Sequence, residues 1–224
     1  MSDFMRPINK LAVILQSSLK MKHIFYLIIF LISGKNFGQT KFKIKEVETK
    51  TWKSIYYTVD EKGKIIKELD TAKYFARMSD DNYRYFAVFG IKNEPGWSAI
   101  DANGQILFKV YNASLGEISP DEIIDNKIRI VDKNNKIGFA DYKGKIIIKP
   151  QFEIVTTFHK GKAIIAENCE KIPWNKHPKE NDCNHYSIAC KRHGFINEKG
   201  EIQELGDFTF EEIQKKIKWK SPEE

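Results

Sequence analysis

Residues 136–167 read KIGFADYKGKIIIKPQFEIVTTFHKGKAIIAE, and three other parts of the 224-residue chain repeat their layout in worn form. A short apolar run, 137–140, leads into the polar tetrad Asp141, Tyr142, Lys143, Gly144, and a second apolar run follows at 146–148. This is a hairpin signature. A glycine in fourth place suits a type I turn closed by a left-handed residue, where a side chain would cost energy. Beyond Pro150 the chain reaches Phe158, turns through His159, Lys160 and Gly161, and enters a third apolar run at 163–166. Three short strands in so few residues predict a β-meander.

The tetrad recurs as Asp60 to Gly63, Asp101 to Gly104 and Asn197 to Gly200, each followed closely by isoleucine. The glycines stand 41, 40 and 56 residues apart. A period near forty predicts a repeat architecture. One three-stranded unit buries too little apolar surface to be stable alone, so neighbouring units must support one another.

At these residues the chain resembles the WG-repeat family, whose unit runs Trp-Gly-aromatic-Ile-Asp, two spacers, Gly-Lys, Pro-x-Phe and Phe-x-x-Gly-x-Ala. The third copy carries Gly138, Phe139, Asp141, Gly144, Lys145, Pro150, Phe152, Phe158, Gly161 and Ala163 at those places. In the four copies the tryptophan position holds Tyr56, Trp97, Ile137 and His193, and the glycine survives as Gly138 and Gly194. The resemblance covers roughly residues 53–205. It implies a β-rich repeat fold, and because the family shares no single activity it implies little about function.

Working outward, residues 1–38 read as a leader. Arg6, Lys10, Lys20 and Lys22 precede the apolar block 24–32 (IFYLIIFLI), and Ser33, Gly34 and Gly38 follow. A basic segment, an apolar core and small residues at a cut site form the layout of a secretory signal peptide. The block is too short to span a bilayer, which takes about 20 residues. An uncleaved interfacial anchor is the alternative, and Met1, Met5 and Met21 all remain possible starts. Cleavage after Gly38 would make Gln39 the first mature residue. Charge follows the same division. The chain carries +7, but the leader holds five basic residues against Asp3, leaving 32 basic (37 less 5) against 29 acidic (30 less 1). A nucleic-acid binder would show a clustered basic stripe, and none stands out in the sequence.

Residues 39–205 are expected to form the array, with units near 53–90, 96–131, 136–167 and 192–205. The alternating segment 41–53 reads as an edge or capping strand. Strands are expected near 55–59, 64–67 and 83–89 in the first unit. In the last of these Tyr83, Tyr85 and Ala87 alternate with Arg84, Phe86 and Val88, so either one face or both are buried. In the second unit Ser119, Pro120 and Glu122 resemble a capping box, predicting a short helix to about Asn126. The segment 168–191 is an insertion that lengthens the last glycine spacing. In the tail, 206–224, Phe210, Ile213 and Ile217 take helical spacing and Thr209 with Glu212 forms a capping box, predicting an amphipathic helix that lids the last unit.

The insertion holds all three cysteines, Cys169, Cys183 and Cys190, with His177 and His185 close by in the sequence and His193 just beyond. These residue types are ligands for zinc or copper. Their spacing contains no Cys-x2-Cys pair, and an exported chain oxidises suitably placed cysteines, so a Cys169–Cys190 disulfide stapling the loop at its base is the favoured reading. Metal binding and free thiols are the alternatives. His159 reads as a solvated turn residue, and Asp60, Asp101 and Asp141 as turn formers rather than general acids or bases. No nucleophile elbow, zinc-protease helix, phosphate loop or dinucleotide fingerprint is present.

The expectation is an all-β array of about four antiparallel β-meander repeats, solenoid- or propeller-like, with a short C-terminal helix. The expected function is non-catalytic: an exported binding or scaffold module at the cell envelope, periplasmic, cell-surface or secreted. No cofactor, metal or nucleic acid is expected, the partner is a protein or other envelope component, and membrane contact is confined to the signal segment. The alternative is a metal-binding or thiol-active protein using residues 168–193, and an enzyme of unrecognised type comes third.

Overall fold

The four predicted tetrads are the fixed points of the fold. In each, the side-chain oxygen of the first residue accepts the backbone N–H groups two and four residues on. Asp60 takes Lys62 and Lys64, Asp101 takes Asn103 and Gln105, Asp141 takes Lys143 and Lys145, and Asn197 takes Lys199 and Glu201, all at 2.8–3.0 Å. Gly63, Gly104, Gly144 and Gly200 close these turns with φ between +76° and +81°. Past each glycine the pairing slips by one residue, as where Thr58↔Lys67 gives way to Val59↔Ile65. This is a bulge set by the turn.

The computed structural model describes residues 40–50, 54–78, 82–113, 119–174 and 186–222; the leader lies outside them. The tetrads join β2 (Ser54–Asp60) to β3 (Ile65–Leu69), β6 (Trp97–Ile100) to β7 (Ile106–Val110), β9 (Ile137–Asp141) to β10 (Ile146–Phe152), and β13 (Tyr186–Asn197) to β14 (Ile202–Gly206). The remaining strands are β1 (Phe42–Glu48), β4 (Tyr74–Arg77), β5 (Ala87–Ile91), β8 (Lys127–Val131), β11 (Ile154–Val155) and β12 (Lys162–Pro173), and the chain ends in helix α1 (Phe210–Ile217). All ladders are antiparallel. The protein is all-β with one short helix, as expected, and among the described residues its strands do not close into a barrel.

The units are joined edge to edge. The last strand of each pairs with the first of the next, in β5·β6, β8·β9 and β12·β13. Sheet therefore runs across every repeat boundary, and its breaks fall inside units. Three successive meanders result: β1–β3, β4–β10 and β11–β14. In the third unit the break lies at Glu153, where one extended segment leaves β9 and begins pairing with β12.

Close backbone approach explains which units keep the family glycine. A Cβ on Gly138 would run into the backbone of residues 148–150, and one on Gly194 into the carbonyl of Glu204. Ser98 holds the equivalent place in the second unit, is fully buried, and accepts the Lys109 ammonium at 3.0 Å.

Core packing follows the sheet breaks. Phe42, Ile44, Leu69, Tyr74, Phe89 and Ile91 form one cluster, Phe86, Trp97, Phe108, Ile128 and Ile130 a second, and Phe139, Phe152, Phe158, Ile165 and Ile196 a third. Ala87 and Phe89 enter the first cluster while Phe86 and Val88 enter the second, so both faces of β5 are buried. Helix α1 behaves as expected. Thr209 and Glu212 form the reciprocal cap, Ile213 is buried, and Ile164 and Trp219 complete a small cluster beneath the helix.

Four expectations need correction. The strand expected over 83–89 begins only at Ala87, and Arg84 makes a single bridge to Phe42. The sequence reading missed β4. No helix forms over 119–126. There the Asp121 carboxylate binds the backbone N–H and guanidinium of Arg129, and Ile124 and Lys127 close a two-residue turn with Asp125 and Asn126 at φ +51° and +59°. A single helical turn gains little by itself, so a buried bidentate ion pair and a ladder override the capping signal. Finally, the two ends of 168–191 are not loop: residues 168–173 continue β12 and 186–191 begin β13.

Candidate interaction surface

The lengthened hairpin β12–β13 carries the residues singled out in the sequence. Elsewhere the last strand of a unit turns tightly into the next, as at Asp132 to Asn135, where Asn135 takes φ +58° in the glycine's stead. Between units three and four both strands instead continue outward, with pairs Cys169↔Cys190, Glu170↔Ala189, Lys171↔Ile188, Ile172↔Ser187 and Pro173↔Tyr186. The extension is a two-stranded ribbon. Such a ribbon is marginal in water without further support.

Its support is specific. Cys169 and Cys190 are disulfide-bonded, so the expected pairing is present, but it bridges opposite residues along a continuous ladder rather than the mouth of a loop. Asn168 adopts φ +56°, and there Glu153 accepts the backbone N–H of Asn168 and of Cys169 at 3.1 and 2.9 Å. One acid at the sheet break thus clamps the ribbon's root. Arg192 pairs with Glu167 at 3.1 Å, the Lys171 ammonium lies 4.6 Å from the Tyr186 ring centre, and Trp174 Nε1 donates to Ser187 Oγ at 2.6 Å.

Alternation gives the ribbon two faces. One carries the disulfide, Ile188 and Tyr186, all half-buried. It lies toward Tyr111, whose hydroxyl pKa is pushed up chiefly by burial, with the Arg129 guanidinium opposing and Asp121 and Tyr186 adding to the rise. That guanidinium stacks 4.7 Å from the Tyr111 ring centre while it grips Asp121. The other face presents Glu170, Ile172, Trp174, Ser187 and Ala189, with Ile172 and Trp174 51% and 65% exposed.

The remaining candidates separate. Cys183, His177 and His185 lie outside the described residues. His193 does not join the cysteines: its Nδ1 meets the Phe208 carbonyl at 2.7 Å and its ring stands edge-on to Phe210. Among the described residues no group of three His, Cys, Asp or Glu is placed to share a metal ion. His159 is not the solvated turn residue expected, for its Nε2 is buried without a hydrogen-bond partner. Sequence reading missed Glu153 and the set of Asp121, Arg129 and Tyr111. Nothing local marks Glu153, whereas the Asp121–Arg129 spacing would have been informative once the helix was set aside.

Residues 137–168 match the family model described as the WG containing repeat. No curated protein matches the chain.

Proposed function

We propose, for a chain whose residues 137–168 are a WG repeat, a role without catalysis: an exported β-repeat protein that binds or scaffolds a protein or other component at the cell envelope. The observation that carries this reading is the braced ribbon, which presents Ile172 and Trp174 to solvent on one face. Aromatic and aliphatic anchors held rigidly lose little entropy when a partner covers them. The disulfide supports export, since such bonds persist in oxidising compartments. The tetrad carboxylates support a non-catalytic role, because Asp60, Asp101 and Asp141 each engage two amides of their own turn.

The test uses the full chain, tagged and crosslinked in its own cells. Expected are a mature mass lacking the leader, one disulfide, and a crosslinked partner that is lost when Ile172→Ser and Trp174→Ser are combined. A full-length intracellular chain with free thiols, a crosslink indifferent to the double substitution, or stoichiometric zinc or copper would each overturn the reading.

A further inference from the structure

A second surface, far from the ribbon in sequence, is assembled from three segments. Phe42 and Arg84 exchange both backbone hydrogen bonds, at 2.9 and 2.8 Å. This single bridge sets residue 41 opposite 85 and residue 43 opposite 83. Phe42 points into the core, so Lys41, Lys43, Tyr83 and Tyr85 share the outward side. The Lys41 ammonium lies 5.6 Å from the Tyr85 ring centre and that of Lys43 lies 5.1 Å from Tyr83. Tyr142, from the best-preserved tetrad, then stands edge-on to Tyr85 at 5.9 Å, with the Lys143 ammonium 5.5 Å from its own ring. The result is a row of three tyrosines, each with an ammonium beside it. One carboxylate, Glu61, comes within 4.0 Å of Lys41. At Tyr83 and Lys43 the row opens into a groove of about 800 Å³ of mixed charge, in which Lys45 and Arg77 stand beside the carboxylates of Glu46 and Glu48, so the anion is held by the row and not by the groove.

Deepening the binding-module reading, on which this rests, we propose that the row binds an anionic polysaccharide, a chain of uronate-type sugars. Pyranose rings offer C–H faces that pack on aromatic rings and hydroxyls that meet phenol groups, and a carboxylate recurring along the chain meets an ammonium at each tyrosine. Two other polyanions fit less well. An acidic peptide adding as a strand needs an open backbone edge, which at the row itself is closed by the bridge between Phe42 and Arg84, and further along β1 it would meet Glu46 and Glu48. Single-stranded nucleic acid stacks successive bases on a run of ring faces, whereas the neighbouring rings of Tyr85 and Tyr142 meet at 69°.

The experiment titrates the folded full chain with oligogalacturonate, with neutral dextran of similar length, with polyglutamate and with oligo-dT. The proposal expects oligogalacturonate to bind at low salt and weaken as salt rises, and dextran not to bind. Lys41→Gln, Lys43→Gln and Lys143→Gln together should weaken binding about tenfold, the sum of three screened contacts. Tyr142→Leu should also weaken it, since the apolar area remains but the flat ring does not. All four sites are partly or fully exposed, and an unchanged circular dichroism spectrum confirms that the variants fold. Failure of oligogalacturonate to bind, or binding indifferent to both variants, overturns the proposal. Tighter polyglutamate or oligo-dT overturns it in favour of that class. If crosslinking through the ribbon still captures a partner, only this inference falls and the binding-module reading stands.

Discussion

The hairpin β12–β13 is one continuous ladder in two environments. In its inner half Ala163, Ile164, Ile165, Ala166 and Ile196 are at most 4% exposed, and the ladder is flanked by β11 and β14. In its outer half neither edge has a strand partner among the described residues, and Ile172 and Trp174 face solvent. The inner half is held by burial, which scales with apolar area and needs no particular partner. The outer half depends on individual bonds: the disulfide, the Glu153 clamp, and the pairing of Trp174 with Ser187. Identical hydrogen-bonding geometry can therefore rest on two kinds of stabilisation, and substitutions tell them apart.

The largest effect belongs to the inner half. Ile165→Ala leaves a cavity in the third cluster and should lower unfolding free energy by about 4 kcal/mol in chemical denaturation. A loss below about 1 kcal/mol would mean that this half is not held by burial. Replacing Cys169 and Cys190 together by serine reopens a loop of about 20 residues and should cost roughly 3 kcal/mol. Amide exchange in 169–173 and 186–190 should rise in that variant while exchange in 163–166 changes little, whereas uniform acceleration would erase the distinction between halves. Glu153→Gln keeps an acceptor but loses its charge, so the clamp should weaken by about 1 kcal/mol, read as faster exchange at Asn168 and Cys169. Smallest is Ile172→Ser, expected to shift stability by less than about 0.5 kcal/mol. A larger loss would show that the outer face is covered within the chain and does not await a partner.

The same contrast explains what could be read in advance. The tetrad turns were legible because their chemistry is local: an acid or amide side chain bonds amides two and four residues on, and glycine supplies the positive φ. The C-terminal cap was legible for the same reason. The capping signal at Ser119 was equally local yet misleading, since Arg129, eight residues from Asp121, offers its carboxylate a better partner. The strand β4 escaped notice because Tyr74 to Arg77 is short and its partners, Ile91, Gly90 and Phe89, lie more than ten residues further along the chain.

Of the candidate sites, the Cys169–Cys190 pairing was readable from spacing and from the expectation of export, while its setting in a ladder was not. Loop and ribbon have the same composition, and only pairing with the opposite strand separates them. Glu153, the Asp121–Arg129–Tyr111 set and the tyrosine–lysine row join residues whose nearness no spacing encodes. Composition, period and turn residues determined that this chain is an all-β repeat with a helical lid. Where the sheet breaks, which strand pairs with the next unit, and which side chains share a surface were decided by long-range backbone pairing, because those contacts have free energy only once distant segments have met.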